Sequence, residues 1–246
     1  MRGRLPRQTR SKSLRQLLLR TFNRQVPGLS CSCQVVCGPV VARGLRAVGG
    51  RKHGSFGYAF RVLTAWADES GSRPDLDPGA YLLAAVLCED DDVAEIRKTM
   101  EGLRSSEPKL HWHGSSQERR GELVETVARL PVTGFVVVHV DRDANDRRHR
   151  RKCMEFLLPH LADMPCSTIT FESRGQLDAS DLATLQMLRS RRVIEPTLRI
   201  EHAVGRMEPA LWAADIVCGA VVQSRTGNRD YLDALSGAVE LHTVRG

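Results

Sequence analysis

Two rhythms of apolar residues alternate along the body of the chain. Runs of strand length fall at residues 60–67, 80–88, 134–140, 166–172 and 197–202, with a further short strand expected at 110–112. Between them, apolar residues repeat every three to four positions at 93–103, 117–130, 149–161, 181–192 and 209–222, the spacing that lines one face of a helix. Ser116 and Ser180 stand where N-caps belong, and Pro209 suits a first helical turn. The Gly- and Pro-containing loop 71–79 should join the first two strands as a hairpin. An opening antiparallel hairpin followed by alternating helices and strands predicts an α/β protein with a mixed sheet flanked by helices.

Composition confines this pattern to one part of the chain. The 246 residues are 41% hydrophobic and 26% charged, enough for one sizeable core with an appendage. No apolar run approaches the roughly 18 to 20 residues that span a bilayer, so a soluble protein is expected. The formal charge of +7 is uneven: residues 1–61 hold thirteen Lys or Arg and no Asp or Glu, whereas from 62 onward 23 basic residues face 29 acidic ones. Residues 1–55 read as a basic, disordered N-terminal extension and 56–246 as the folded domain. The extension lacks the apolar region of a secretory signal and only loosely resembles a transit peptide; a start site placed too far upstream is another origin for it. Cys31, Cys33 and Cys37 look like half of a metal knuckle, but no second Cys/His pair follows at zinc spacing. Cys88, Cys153, Cys166 and Cys218 lie in strand or helix patterns, where thiols act as small hydrophobes, and a reducing cytoplasm fits best.

Candidate chemistry gathers at the ends of the expected strands. Asp68 and Glu69, followed by Ser70 and Gly71, place two carboxylates where the first strand runs out. Glu172, followed by Ser173, Arg174 and Gly175, repeats the arrangement; Arg174 could meet a phosphate or simply pair with Glu172. Asp141 is a third strand-end acid, although the polar run 143–151 behind it reads as a solvated loop. Asp215 shares a helix face with Leu211, Cys218, Gly219 and Val222, where a carboxylate costs desolvation unless it meets a cation or good donors. Such acids, collected from distant segments, are hard oxygen ligands suited to Mg²⁺ or Mn²⁺; a buried Asp capping a loop is the plain alternative for Asp215. His111 and His113 would share one side of an extended segment, His111 being the better acid–base candidate. The chain has no phosphate-binding Gly-rich loop, dinucleotide fingerprint, nucleophile elbow or His-Glu-x-x-His helix, which disfavours NTPases, dehydrogenases, serine hydrolases and zinc proteases.

The stretches 67–71, 81–86, 109–112, 138–142, 171–175 and 213–219 occur in the order of the bacterial and archaeal family called domain of unknown function 3800 (DUF3800), which this chain resembles over about residues 60–225. The resemblance implies a ribonuclease H-like fold and a divalent-metal site built from its acids. The family's Asp-Glu-Ser motif falls on Asp68, Glu69 and Ser70, its second strand-end acid on Glu172, and its late helix Asp on Asp215. Two positions depart from the pattern: Trp212 stands where Gln is usual, and Lys109 stands where a carboxylate is frequent.

The expected function is a Mg²⁺- or Mn²⁺-dependent nuclease, a phosphodiesterase acting on nucleic acid. In this reading Asp68, Glu172 and Asp215 hold the metal, Glu69 or Asp141 supplies a further ligand or orients water, His111 assists proton transfer and Arg174 faces the scissile phosphate. The alternative is a non-catalytic module of the same fold that binds nucleic acid or protein, in a setting such as mobile-element or phage defence.

Overall fold

The computed structural model describes residues 62–71, 75–104, 108–235 and 237–246. The N-terminal extension expected at 1–55 and the thiols of Cys31, Cys33 and Cys37 lie outside the described residues. In chain order the elements are β1 (Leu63–Ser70), β2 (Ala80–Glu89), α1 (Val93–Gly102), α2 (Gln117–Arg129), β3 (Thr133–Val140), α3 (Asp146–Asp163), β4 (Cys166–Glu172), α4 (Asp178–Ser190), β5 (Arg199–Ala203), α5 (Ala210–Arg225), α6 (Asp230–Ala234) and β6 (Val239–Arg245).

The strands form one sheet in the order β5-β4-β1-β2-β3-β6. β2 runs antiparallel to both β1 and β3, while β4 is parallel to β1, β5 to β4 and β6 to β3. Every strand except β2 therefore ends at the same edge. Side-chain alternation splits the core in two. Leu63, Ala65 and Ala67 of β1 pack with Cys153, Leu157 and Leu161 of α3 and Leu185 and Leu188 of α4. Trp66, Ala84 and Val136 pack on the other face beneath α5, α1 and α2. All ten residues of β2 are buried because both of its faces are covered, which is why its sequence is a continuous apolar run rather than an alternating one. The hairpin joining β1 and β2 is present as expected. Among the described residues no helix is long and apolar enough to cross a membrane.

Several local expectations are corrected. Residues 110–112 form no strand; they belong to an irregular loop whose shape is set by side chains, Ser115 Oγ donating to the His111 carbonyl (2.7 Å) and Arg120 Nε to the Trp112 carbonyl (3.2 Å). Ser116 does cap α2, accepting the Arg119 N–H, but Ser180 lies inside α4, whose first turn begins at Asp178. Pro209 sits at the N-cap of α5 rather than in its first turn. The polar run 143–151 is mostly helix: α3 starts at Asp146, with Asn145 as its N-cap. α6 and the edge strand β6 carry no expectation from the sequence pattern. β6 breaks the usual rule, turning Leu241 outward while His242 is buried against Phe135 and Phe156.

Candidate active site

The site is built at the shared strand edge, on the face covered by α5. In the parallel pairing of β1 with β4, Ala67 stands opposite Phe171, and both side chains enter the core under α3 and α4. The next residue on each strand, Asp68 and Glu172, must then point to the opposite face. They lie at the same level on adjacent strands, which are about 4.8 Å apart. From above, α5 contributes Asp215, which accepts a hydrogen bond from the Trp112 N–H through Oδ2 (3.0 Å). Lys109, on the same loop as Trp112, pairs its Nζ with Glu172 Oε2.

The Asp68 and Asp215 carboxyls are both raised. Burial, followed by the charges of Asp215 and Glu69, pushes the Asp68 carboxyl up to about 8, with Lys109 and the Glu69 N–H acting in the opposite sense. Asp215 is also raised, chiefly by burial, against the Trp112 N–H, Lys109 and the nearby His111. Among the described residues the hydrogen bond to Asp68 comes from the Glu69 N–H alone (2.9 Å), so this acid is desolvated without a strong donor. The two desolvated oxygen donors suit a hard divalent ion. Lys109 competes for that role, because its ammonium already neutralises Glu172. Among the described residues no three His, Cys, Asp or Glu side chains form a ready-made metal-binding group. Asp68 and Asp215 are the residues here that could hold such an ion, while Glu172 is paired with Lys109.

Two glycines and two tryptophans hold this geometry. Gly219, one turn along α5 from Asp215, lets the Trp112 indole lie against the helix; a methyl group there would overlap the ring. Trp112 is fixed on its other sides by Tyr231, edge-on with centroids 5.2 Å apart, and by Arg120 stacked over it at 5.2 Å. Gly205 likewise lets the Glu172 carboxylate approach its backbone. Trp212 is fully buried and donates its indole N–H to the Gly205 carbonyl (2.7 Å), so it braces the turn that backs Glu172. Gly219→Ala is expected to cost about 1 to 3 kcal/mol in chemical denaturation, because the overlap falls on a ring held from three sides. It should also displace the donor to Asp215 and weaken any response to divalent ions.

The remaining expected site residues are placed elsewhere. Glu69 points to the opposite face from Asp68, where Arg150 Nη1 binds its Oε2 (2.6 Å) and Arg174 Nε lies 3.5 Å from its Oε1. Arg174 is thus tied to Glu69 and to Asp181 (3.3 Å), not to Glu172. Asp141 follows β3, two strands away from β1; Asp68 is level with Ala84, and Ala84 with Val136, so Asp141 lies five residues further along. It caps its own turn, accepting the Asp143 N–H (3.0 Å), and faces Arg148 at 3.7 Å. His111 is exposed near Asp215, and exposed His113 lines a cleft of about 530 Å³ with Glu69, Trp112, Arg120 and Asp215.

Arg150 and Asp181 escaped the sequence reading. Arg150, only 2% exposed, grips Asp181 with Nε and Nη2 (2.9 and 2.8 Å) and covers the Phe171 ring at 4.9 Å. His202 Nε2 adds a third contact to Asp181 at 3.0 Å. The signal was present as a helical stripe: His149, Arg150, Cys153, Met154, Leu157, Leu158 and Leu161 are all buried on α3 at helical spacing.

No model of a known protein family matches the chain, and no curated protein matches it. Among solved structures, the ribonuclease HII of Archaeoglobus fulgidus, determined in complex with PCNA, is 20% identical, with 67% of this chain aligned to 74% of that one at a TM-score of 0.47. Ribonuclease H2 from Pyrococcus horikoshii is 15% identical over 67% of this chain and 73% of its own (TM-score 0.46). Bst-RNase HIII, solved with Mn²⁺, is 13% identical over 68% and 54% (TM-score 0.42). The architecture itself is α/β: a mixed six-stranded sheet with β2 antiparallel between β1 and β3 and helices on both faces, as the sequence pattern predicts.

Proposed function

We propose that this chain is a Mg²⁺- or Mn²⁺-dependent phosphodiesterase acting on nucleic acid, and a member of the domain of unknown function 3800 family. The observation that carries the reading is the placing of Asp68 and Glu172 side by side on parallel strands, facing Asp215 across the edge where the strands end. A fold alone does not supply a function, but desolvated acids converging from three distant segments need a cation to be charged together. A divalent ion bound there would lower the pKa of a water and stabilise a leaving oxygen. The protein's own groups would then do the rest. Asp68 and Asp215 would hold the ion, Lys109 restrains Glu172, and the exposed His111 could pass a proton to the departing oxygen. Glu69, held by Arg150 and Arg174, acts by fixing the end of β1. Among the described residues Cys88, Cys153, Cys166 and Cys218 are buried free thiols, which fits a reducing compartment such as the cytoplasm.

The Lys109–Glu172 ion pair favours a second reading, in which the ammonium permanently replaces the metal and the domain only binds. Melting with Mg²⁺ or Mn²⁺ separates the two. A working site should be stabilised by about 2.7 kcal/mol when the ion is at 100 times its Kd. Lys109→Ala should tighten divalent binding roughly tenfold by freeing Glu172 and removing a competing charge. In the binding-module reading the parent shows no such stabilisation, and the variant only loses stability. Cleavage of labelled DNA and RNA with either ion completes the test.

A further inference from the structure

On the sheet face opposite the carboxylates, α3 and α4 enclose a cleft of about 800 Å³. Its lining is strongly biased: seven Arg or Lys against three acids, in a body that is acidic from residue 62 onward. Two of the three acids are already engaged. Asp181 is held by Arg150 and Arg174, and Glu155 lies beside Arg151 (3.6 Å) and Lys152 (3.1 Å). Arg147 and Arg191 are exposed and make no ion pair among the described residues, and Arg148 and Arg151 are each 54% exposed. No aromatic side chain lines the cleft. The groove also has a direction. Arg150 and Arg174 in its wall both bind Glu69, and Glu69 in turn lines the 530 Å³ cleft that holds Asp215. Among the described residues these ion pairs are the one link between the walls of the two cavities, at the end of β1.

We propose that the α3–α4 groove is the track for the sugar–phosphate backbone of single-stranded nucleic acid, delivering it across the strand edge to the carboxylate site; this rests on the phosphodiesterase reading. Exposed guanidinium groups from both helices, Arg147 and Arg191 without an ion pair among the described residues and Arg151 only loosely held, suit phosphates, and without aromatic platforms the bases are not read. A flexible single strand can follow the surface between α3 and α4 and turn at the strand edge, whereas a stiff duplex cannot bend so sharply. Recognition should therefore be tolerant of sequence and steeply dependent on salt.

The test uses the full chain and fluorescence anisotropy with a labelled oligothymidylate, its oligouridylate counterpart and a duplex of equal length. The triple variant Arg147→Glu, Arg151→Glu, Arg191→Glu should weaken single-strand binding at least tenfold at about 50 mM salt and lower the slope of log K against log salt by about 2, since each contact contributes about 0.7. A control with the same charge change on the other layer, Lys98→Glu, Arg129→Glu, Arg229→Glu, should bind as the parent does. Melting confirms that both variants fold. The rise in melting temperature with Mg²⁺ is read on the same proteins and should be equal in all three, so a fault in the groove is distinguishable from a fault in the carboxylate site. Equal loss in the control, no loss in the groove variant, absence of single-strand binding by the parent, or a duplex that binds as tightly as the single strand would each overturn the proposal.

Discussion

Asp68→Asn and Asp215→Asn are each expected to lower metal-dependent cleavage by roughly a thousandfold or more while raising the melting temperature of the metal-free protein. The amide keeps the shape of the carboxylate and can still accept the Glu69 or Trp112 N–H, but it cannot hold a divalent ion. The stability gain has a definite pH window. Below about pH 4 Asp68 is protonated in both folded and unfolded chains, and the substitution changes little. As pH rises toward 8, the unfolded chain ionises first while burial and the charges of Asp215 and Glu69 keep the folded carboxyl protonated, so the parent loses stability through this window. The asparagine variant is spared, and its advantage should grow toward pH 8 by up to about 1.4 kcal/mol for each pH unit. His139 and His160, held below the usual histidine range mainly by burial, act in the opposite sense as pH falls through about 6.5, but they are common to both proteins and cancel in the difference. A melting series in chelator from pH 4 to 8 checks the sign; a variant that melts lower throughout would mean that Asp68 is held by structural bonds instead.

Arg150→Met should be the most damaging single change outside the candidate site, costing about 3 to 5 kcal/mol. It strips Asp181 of two hydrogen bonds and Glu69 of its closest donor, leaving two part- or fully buried carboxylates short of compensation. Burial alone would raise the Asp181 carboxyl, but the Arg150 hydrogen bonds and charge hold it below the ordinary aspartate range. That stability is present above about pH 4 and lost as the pH falls below it. Denaturant unfolding of Arg150→Met, Asp181→Leu and the double variant gives the coupling: the double should be markedly more stable than the sum of the single losses implies. Additive losses would show that the pair contributes only packing.

The strands and helices that carry the site were legible because each announces itself by one period. β2 is a continuous apolar run, β4 ends on Glu172, and α5 shows an apolar stripe interrupted by a single acid. Asp68, Glu172 and Asp215 could be singled out because strand ends and apolar helix faces are places where a carboxylate has no routine reason to stand. The partners of the other charges could not be read in this way. Which face Glu69 takes follows from register with β4, a tertiary fact, and the same holds for Arg174. Arg150 looked like one basic residue among many because its neighbours Arg147, Arg148 and Arg151 are exposed. β6 was hidden because it places His242 inward and Leu241 outward, the reverse of the pattern that marks a strand. Lys109 drew notice as a departure from a family pattern, but its pairing with Glu172 needs the loop 108–116 folded back over the strand ends.

The claim that Asp68, Asp215 and Glu172 form a divalent-cation site is tested most directly by anomalous diffraction from crystals soaked in Mn²⁺. The account predicts a peak at the end of β1 bonded to carboxylate oxygens of Asp68 and Asp215 at about 2.1 to 2.2 Å, with the Lys109 ammonium withdrawn from Glu172. No peak there at millimolar Mn²⁺, with Lys109 still paired to Glu172, would contradict it.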